Sequence, residues 1–369
     1  MNNRKQDKPI VAILTMHDNK RMFRGNLENF QEILETGSRM GHLAYVVTVK
    51  ELDPTKYSVK GYSYNRSTRQ WESGYFPRPQ VVYNRIPDRV DEHKPWVRSR
   101  IEELQRAKGI SLYNSGFFNK WNLFQSLKSS SRTRGLVPAT RRLLNSGVLL
   151  KMLQTYPSLY LKPESGKAGK GIMMVKCSKR APTTYRLKVQ TDRKSSIYKT
   201  NNFNSLWLRI QRKTGSIPYI VQQGIELATS RNRPFDLRVL AQKNRRGLWR
   251  VTGIGARLAG SRSITTHVPR GGSIEDPQRL LSANFGAEMT DAHLQRVQAS
   301  ALQIARQIES SAKGMIGEMS MDLGVDRSGN LWFFEANAKP MKFDEPEIRK
   351  KSLERIFYYS SYLAEQQKE

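Results

Sequence analysis

The segment Leu331-Trp-Phe-Phe-Glu-Ala-Asn-Ala-Lys-Pro340 places two polar side chains, Glu335 and Asn337, at the end of an apolar strand. Side chains alternate across a strand, so these two share a face. Upstream, Gly317-Glu-Met-Ser-Met-Asp-Leu-Gly-Val-Asp326 followed by Arg327-Ser-Gly-Asn330 reads as the other half of a β-hairpin. With Ser328-Gly329 as the loop, Asp322 lies directly opposite Glu335. A loop two residues longer moves Asp322 one diagonal step along the same face. Three oxygen-bearing side chains then converge. Such hard donors suit Mg²⁺ or Mn²⁺ held together with substrate phosphates. A plain polar sheet surface is the alternative for this hairpin taken alone.

A second stretch, Tyr160-Leu-Lys-Pro-Glu-Ser-Gly-Lys-Ala-Gly-Lys-Gly-Ile-Met-Met-Val175, reads as strand, glycine-rich loop, strand. Gly166, Gly169 and Gly171 leave backbone N–H groups open to phosphate oxygens, and Lys162, Lys167 and Lys170 add positive charge. The spacing fits neither the Walker nor the Rossmann pattern, and no long helical pattern follows. A hairpin flap fits better than a strand-to-helix turn. A glycine-rich surface hairpin with solvated lysines remains the plain alternative.

Taken together, Lys162-Pro, the Ser165-Gly-x-x-Gly-x-Gly171 flap and the late Asp, Glu-x-Asn set resemble the ATP-grasp superfamily. The resemblance implies a flap that closes over ATP, with Lys162 on the nucleotide phosphates. It implies that Asp322, Glu335 and Asn337 hold the metal. Asn119-Lys120-Trp121 looks like the superfamily's earlier nucleotide-binding lysine. Tyr219-Ile-Val-Gln-Gln-Gly-Ile-Glu226 resembles the strand and linker that read adenine, which brings in Gln222 and Gln223 and puts Glu226 on the ribose hydroxyls. Phe235-Asp-Leu-Arg-Val239 matches an Asp-x-Arg strand, with Arg238 directed at phosphate or acyl-phosphate oxygens. Gly255-Ala-Arg257 and Arg270-Gly-Gly272 match a further arginine and a glycine pair near the acceptor site. Val81-Val-Tyr-Asn-Arg-Ile-Pro-Asp-Arg89, Tyr113-Asn-Ser-Gly-Phe-Phe-Asn-Lys120 and Asp236-Leu-Arg-Val239 are similar to YheC/YheD-type endospore coat-associated proteins, from about Pro9 to Pro340.

The composition agrees with a large protein built around substantial cores. The chain has 369 residues, enough for two or three domains. A single cysteine, Cys177, excludes an internal disulfide and points to a reducing compartment. It reads as a packing residue of the flap strand. The first apolar run, 10–14, is too short for a signal segment and reads as a buried strand. No stretch approaches membrane-spanning length. A cytoplasmic protein is expected, with association to the spore coat implied by the resemblance.

Charge is the outlying property. Sixty-three basic residues face 32 acidic ones, a net of +31. Between Tyr160 and Arg250 there are 21 Lys and Arg against 4 Asp and Glu, an excess of 17, whereas the segment from Met341 onward carries six of each. An excess of this size favours an anionic polymer or a coat partner, with a solubilising surface as the alternative.

These motifs need an α/β framework. Strands are expected over 10–14, 43–49 and 81–84, with helices over 26–40 and 120–131 and an aromatic two-stranded ribbon over 57–75. A second charged hairpin spans 183–202, before a short helix over 203–212. Further strands cover 236–242 and 248–256, followed by helices over 290–311 and 348–369. The expected division is an N-terminal α/β domain (1–115), a small flap lobe (116–222), a lobe bearing the metal hairpin (223–345) and a C-terminal helix (346–369). His17 and His42 lack metal-ligand spacing and read as structural. His267, near the glycine pair, is a site candidate. The ribbon aromatics, Tyr62 and Trp71 among them, read as packing rather than as base-stacking groups.

The reading that follows is an ATP-grasp enzyme using ATP and Mg²⁺ or Mn²⁺. The resemblance implies an acyl phosphate formed from a carboxylate and displaced by an amine or thiol. A kinase, or a basic scaffold of the same fold without turnover, are the competing outcomes.

Overall fold

The computed structural model describes residues 8–166, 170–178, 180–190, 195–260, 266 and 271–368. Within it the short apolar run near the N-terminus becomes β1 (Val11–Thr15), buried at every position. It is flanked in parallel by β2 (Ala44–Thr48) and β5 (Val81–Asn84), and β6 (Ser111–Tyr113) pairs β5. A central parallel strand is covered on both faces, which is why it carries no polar alternation. Val11 and Ile13 join a core with Phe30 and Ile33 of α1 (Leu27–Arg39). Ala12 and Leu14 face Val97, Ile101 and Leu104 of α3 (Pro95–Arg106) on the other side, past the short α2 (Arg89–Glu92). The aromatic ribbon exists as β3 (Ser58–Asn65) and β4 (Gln70–Pro77), but it extends this sheet beyond β2. Tyr62 and Trp71 pack on Phe23, whereas Tyr57 and Tyr75, at the ribbon's outer end, are exposed.

A second sheet is antiparallel throughout, in the order β11-β10-β9-β8-β12-β7. Its strands are β7 (Thr140–Arg142), β8 (Ser158–Pro163), β9 (Met173–Ser178), β10 (Thr184–Gln190), β11 (Ser195–Thr200) and β12 (Tyr219–Gln223). Strands β8 and β9 are the flap hairpin, and β10 and β11 the charged one. Leu159, Leu161, Met173 and Val175 pack on one face with α5 (Ser146–Thr155) and α6 (Phe203–Thr214). Cys177 packs at the margin of this core. Alternation sends Tyr160, Lys162 and Met174 to the opposite face.

The third sheet runs β16-β15-β14-β17-β18, with the short β13 beside β14. Its members are β13 (Thr229–Ser230), β14 (Arg233–Lys243), β15 (Trp249–Leu258), β16 (Ser273–Glu275), β17 (Glu318–Val325) and β18 (Leu331–Asn337). One face packs on α4 (Lys120–Ser129), α7 (Pro277–Phe285) and α8 (Ala287–Ser311) through Phe124, Leu281, Val297 and Ile304. The long helix begins earlier than its apolar stripe suggests, and α7 precedes it directly. The C-terminal helix α9 (Pro346–Gln366) lies against α1 and places Phe357 in the core of the first sheet. It also approaches β15 closely: a Cβ on Gly253 would stand 2.4 Å from Ile348 Cγ1. Glycine is therefore required there by contact.

Candidate active site

The hairpin that opens the sequence argument has the expected pairing, reached by a different route. Asp322 lies opposite Glu335, and Ser320 opposite Asn337. The turn holds three residues, Arg327 to Gly329, closed by Asp326 N–H to Asn330 O at 2.9 Å, with Gly329 at φ +80°. That loop alone would shift the register by one. A β-bulge between Asp322 and Leu323 on one side and Glu335 and Phe333 on the other restores it, with Phe334 as the extra residue. The bulge leaves both Phe334 and Glu335 half-buried on the cleft face while Phe333 and Ala336 stay in the core. Bulges re-aim side chains in this way beside many sites.

A row of charge crosses the sheet from this pair. Arg238 on β14 lies opposite Asp322, and Arg257 on β15 opposite Asp236. The Arg257 guanidinium is buried and shared between two carboxylates: Nε donates to Asp236 Oδ1 at 3.0 Å and Nη2 meets Asp322 Oδ2 at 2.7 Å. Thr266 Oγ1 also donates to Asp236. Burial pushes the Asp236 carboxyl above its ordinary value, against the pull of Arg257. Through Nε and Nη2, Arg257 is engaged by Asp236 and Asp322. Arg238 differs. Its guanidinium lies 4.8 Å from the Phe343 ring and donates to Met341 O at 3.4 Å, and among the described residues it forms no ion pair.

Two lysines close the cleft from the other side. Asn119 caps α4 by accepting from Asn122 N–H, which fixes Lys120 in the first turn. A lysine there opposes the helix dipole. Its ammonium instead meets Glu335 Oε1 at 2.5 Å. Lys162 Nζ donates to Gln222 Oε1 at 2.6 Å and stands 5.6 Å from the Phe334 ring centre. Burial draws this amine down to about 8, with Glu335 opposing the shift and Lys120 adding to it. Gln222 is itself held by Thr140 Oγ1 at 3.0 Å.

The remaining expected residues divide by what they touch. The Gln223 carboxamide oxygen accepts from Ala139 N–H at 3.2 Å, so that side chain closes the loop before β7 while the backbone of the strand is the part expected at adenine. Glu226 is exposed on the linker and lines a cavity of about 590 Å³ with Tyr160, Met174, Ile225 and Leu227. Ser165 is exposed at the flap turn and Gly166 half-buried behind Pro163. Gly171 has φ +73°, and Tyr219 Oη donates to its carbonyl at 3.0 Å. Lys167, Gly169, His267 and Arg270 lie outside the described residues. His42 is buried with Nδ1 3.1 Å from Pro9 O, the structural role expected of it.

Asp322, Glu335 and Asn337 supply two carboxylates and an amide oxygen on one face, a donor set that fits Mg²⁺ or Mn²⁺ beside phosphates. Each carboxylate already has a cationic neighbour, Arg257 or Lys120. Among the described residues, no group of three His, Cys, Asp or Glu stands ready to enclose a metal. The set suits a metal that brings its own phosphate ligands.

The chain is similar to known proteins. A family model described as YheC/D like ATP-grasp covers residues 109–363. The chain belongs to this family. Endospore coat-associated protein YheD of Bacillus subtilis (strain 168) is 28% identical over 97% of this chain and 79% of its own length. The ATP-grasp ligase PsnB, in complex with a phosphomimetic variant of its minimal precursor, Mg and ADP, superposes with a TM-score of 0.54 at 13% identity, covering 96% of this chain and 99% of that one. D-alanyl-alanine synthetase A from Vibrio cholerae gives 0.52 at 11% identity over 98% of both chains. These structural likenesses establish the fold.

In this YheC/D-like chain, the motif Val81–Arg89 has a physical task that its sequence does not reveal. It latches the first sheet onto the β17–β18 hairpin and the segment after it. Arg85 donates to Pro340 O at 2.9 Å and pairs with Glu318 at 3.3 Å, where Tyr83 also donates. Lys339 is buried against Glu92 and donates to Asn84 Oδ1 and Ile86 O at 3.0 and 3.1 Å. Asn114, at φ +55°, accepts from Gly317 N–H at 2.8 Å and donates to Glu318 O at 3.0 Å and to Ala338 O. Sequence reasoning missed Asn114 and Lys339; the Tyr113-Asn114 motif was the available signal. Asn114→Gly keeps the backbone conformation and strands several buried groups. It should lower stability by about 2–4 kcal/mol in urea titration. A change under about 0.5 kcal/mol would mean the latch is incidental.

Proposed function

We propose that this protein is an ADP-forming ATP-grasp ligase. It activates a carboxylate as an acyl phosphate and passes it to an amine or thiol. The observation that carries this reading is the convergence of Lys120, Lys162, Asp322 and Glu335 from two sheets and a helix on one cleft. The flap around Gly166, Gly169 and Gly171 covers the triphosphate, and Ser165 adds a hydroxyl there. The cavity beside Glu226 takes the adenosine, with Gln222 holding Lys162 in place. Asp322, Glu335 and Asn337 would hold Mg²⁺ or Mn²⁺, which would supply positive charge to offset that of the phosphates. Lys120 and Lys162 neutralise the phosphates, Arg238 meets the transferred group, and Arg257 orients Asp322. The four-part division at 115, 222 and 345 belongs to this reading. So does a coat association, supported by the name of the YheD relative.

ADP release with Mg²⁺ across a panel of acids and amines tests the reaction. Saturating ATP·Mg²⁺ should raise the melting temperature. Lys162→Ala should remove most of that shift while leaving the apo protein folded. The Lys162 amine is charged below about 8 and neutral above it. Nucleotide affinity should therefore be flat below that pH and fall above it by up to ~10-fold per unit. Lys162→Met should flatten the profile. An absence of calorimetric heat with ATP·Mg²⁺ in the wild type would leave a basic scaffold of the same fold as the better reading.

A further inference from the structure

The cleft face of the second sheet carries more positive charge than a nucleotide needs, and in an ordered form. Lys176 on β9, Arg186 on β10 and Lys199 on β11 are directly paired neighbours, Lys176 with Arg186 and Arg186 with Lys199. All three are exposed. Lys188 follows one step along β10, its ammonium drawn down by burial and by Arg186 and Lys176. Like charges directly opposite each other destabilise a sheet. None of the strand positions on this face is Asp or Glu. The row continues from Ser158, which pairs with Lys176 and stands beside the Gly224 linker, out to β11, the edge of the sheet. Lys176, Arg186 and Lys199 line the cavity beside Glu226, and Arg327 lines it too.

We propose that this row and the β11 edge form a docking surface for an extended acidic polypeptide, added as a strand beside β11 with its carboxylates over Lys199, Arg186 and Lys176. Charge complementarity selects the sign of the partner. The edge selects its class, because the N–H and C=O groups of β11 can pair with a peptide backbone and not with a sugar-phosphate chain. Ile197 is 46% exposed on the same face as Lys199 and offers an apolar contact for an alternating partner. Single-stranded nucleic acid would need exposed aromatic platforms. The aromatics of these two strands point the other way: Tyr185 packs on Phe203 at 5.8 Å and Tyr198 lies under Arg209 at 5.1 Å. Docking does not require that the cleft turn over.

The test uses the full chain and two fluorescent probes, a short peptide of alternating glutamate and valine and an oligothymidylate of equal charge, read by anisotropy. The peptide should bind at low salt, with log Kd rising linearly with log salt. Lys176→Glu, Arg186→Glu and Lys199→Glu should each weaken it by at least ~10-fold, and the corresponding Gln variants less. Arg212→Glu and Lys213→Glu, on α6 behind the sheet, should change it by less than about 2-fold. The melting shift with ATP·Mg²⁺ should persist in Arg212→Glu and Lys213→Glu. No peptide binding at low salt, tighter binding of the oligothymidylate, or equal weakening by the α6 variants would overturn the proposal. The Gln variants keep it decidable if a reversal fails to fold.

Discussion

Glu335→Gln should reduce ADP release by at least ~10²-fold while the protein stays folded, because a neutral amide cannot replace a carboxylate at the metal and phosphate site proposed for it. The side chain is half-buried at the end of β18 and touches Lys120, so its loss disturbs chemistry more than packing. Asn337→Asp gives the complementary variant. It adds charge at an exposed position with no ion pair among the described residues, so metal preference should shift with stability unchanged. Asp322→Asn behaves differently from both. It weakens the metal set and also takes a carboxylate from the buried Arg257 guanidinium. A stability loss of about 3 kcal/mol should accompany its fall in turnover. Mn²⁺ binding in the presence of ADP, measured by electron paramagnetic resonance, separates the two effects. Wild-type activity and Mn²⁺ affinity in all three variants would show that the hairpin is only structural.

The contrast among those variants also marks what the sequence could convey. Alternation placed Glu335 and Asn337 on one face because that pattern is local, whereas Asp322 joins them through the bulge. The bulge at Phe334 left no trace in the pattern, yet it brings Lys162 against Phe334 and Glu335 together. The Asp236–Arg257 pair was not legible either. Its register depends on an irregularity between Leu240 and Ala241, which a hydrophobic pattern does not encode. Several helix starts were marked by asparagine: Asn26, Asn119, Asn145 and Asn202 each accept from the backbone three residues on. The three-residue β7 lacked a pattern long enough to read. The motif Val81–Arg89 carried the family resemblance without its reason, since Arg85 and Pro340 are 255 positions apart.

Arg257→Met should be the most destabilising single change in the site. It takes the Arg257 guanidinium from Asp236 and Asp322, both nearly inaccessible to water. Removing one partner of a buried ion pair typically costs about 3–5 kcal/mol. The sign of its pH dependence makes the argument decidable. Burial already raises the Asp236 carboxyl in the wild type, and Arg257 is the main opposing influence. Without Arg257 the folded-state value rises further above the unfolded value. A group raised in this way favours the folded state once protonated and loses that contribution as pH climbs through the folded value. The variant should therefore recover stability relative to wild type as pH falls from 7 toward the ordinary carboxyl range near 3.8. Acid would narrow the gap that neutral pH opens. Urea unfolding of both proteins across that range measures it directly. A gap that stays constant or widens in acid would show that the two carboxylates are not held by Arg257, and that Asp322 reaches its position facing Glu335 by other means.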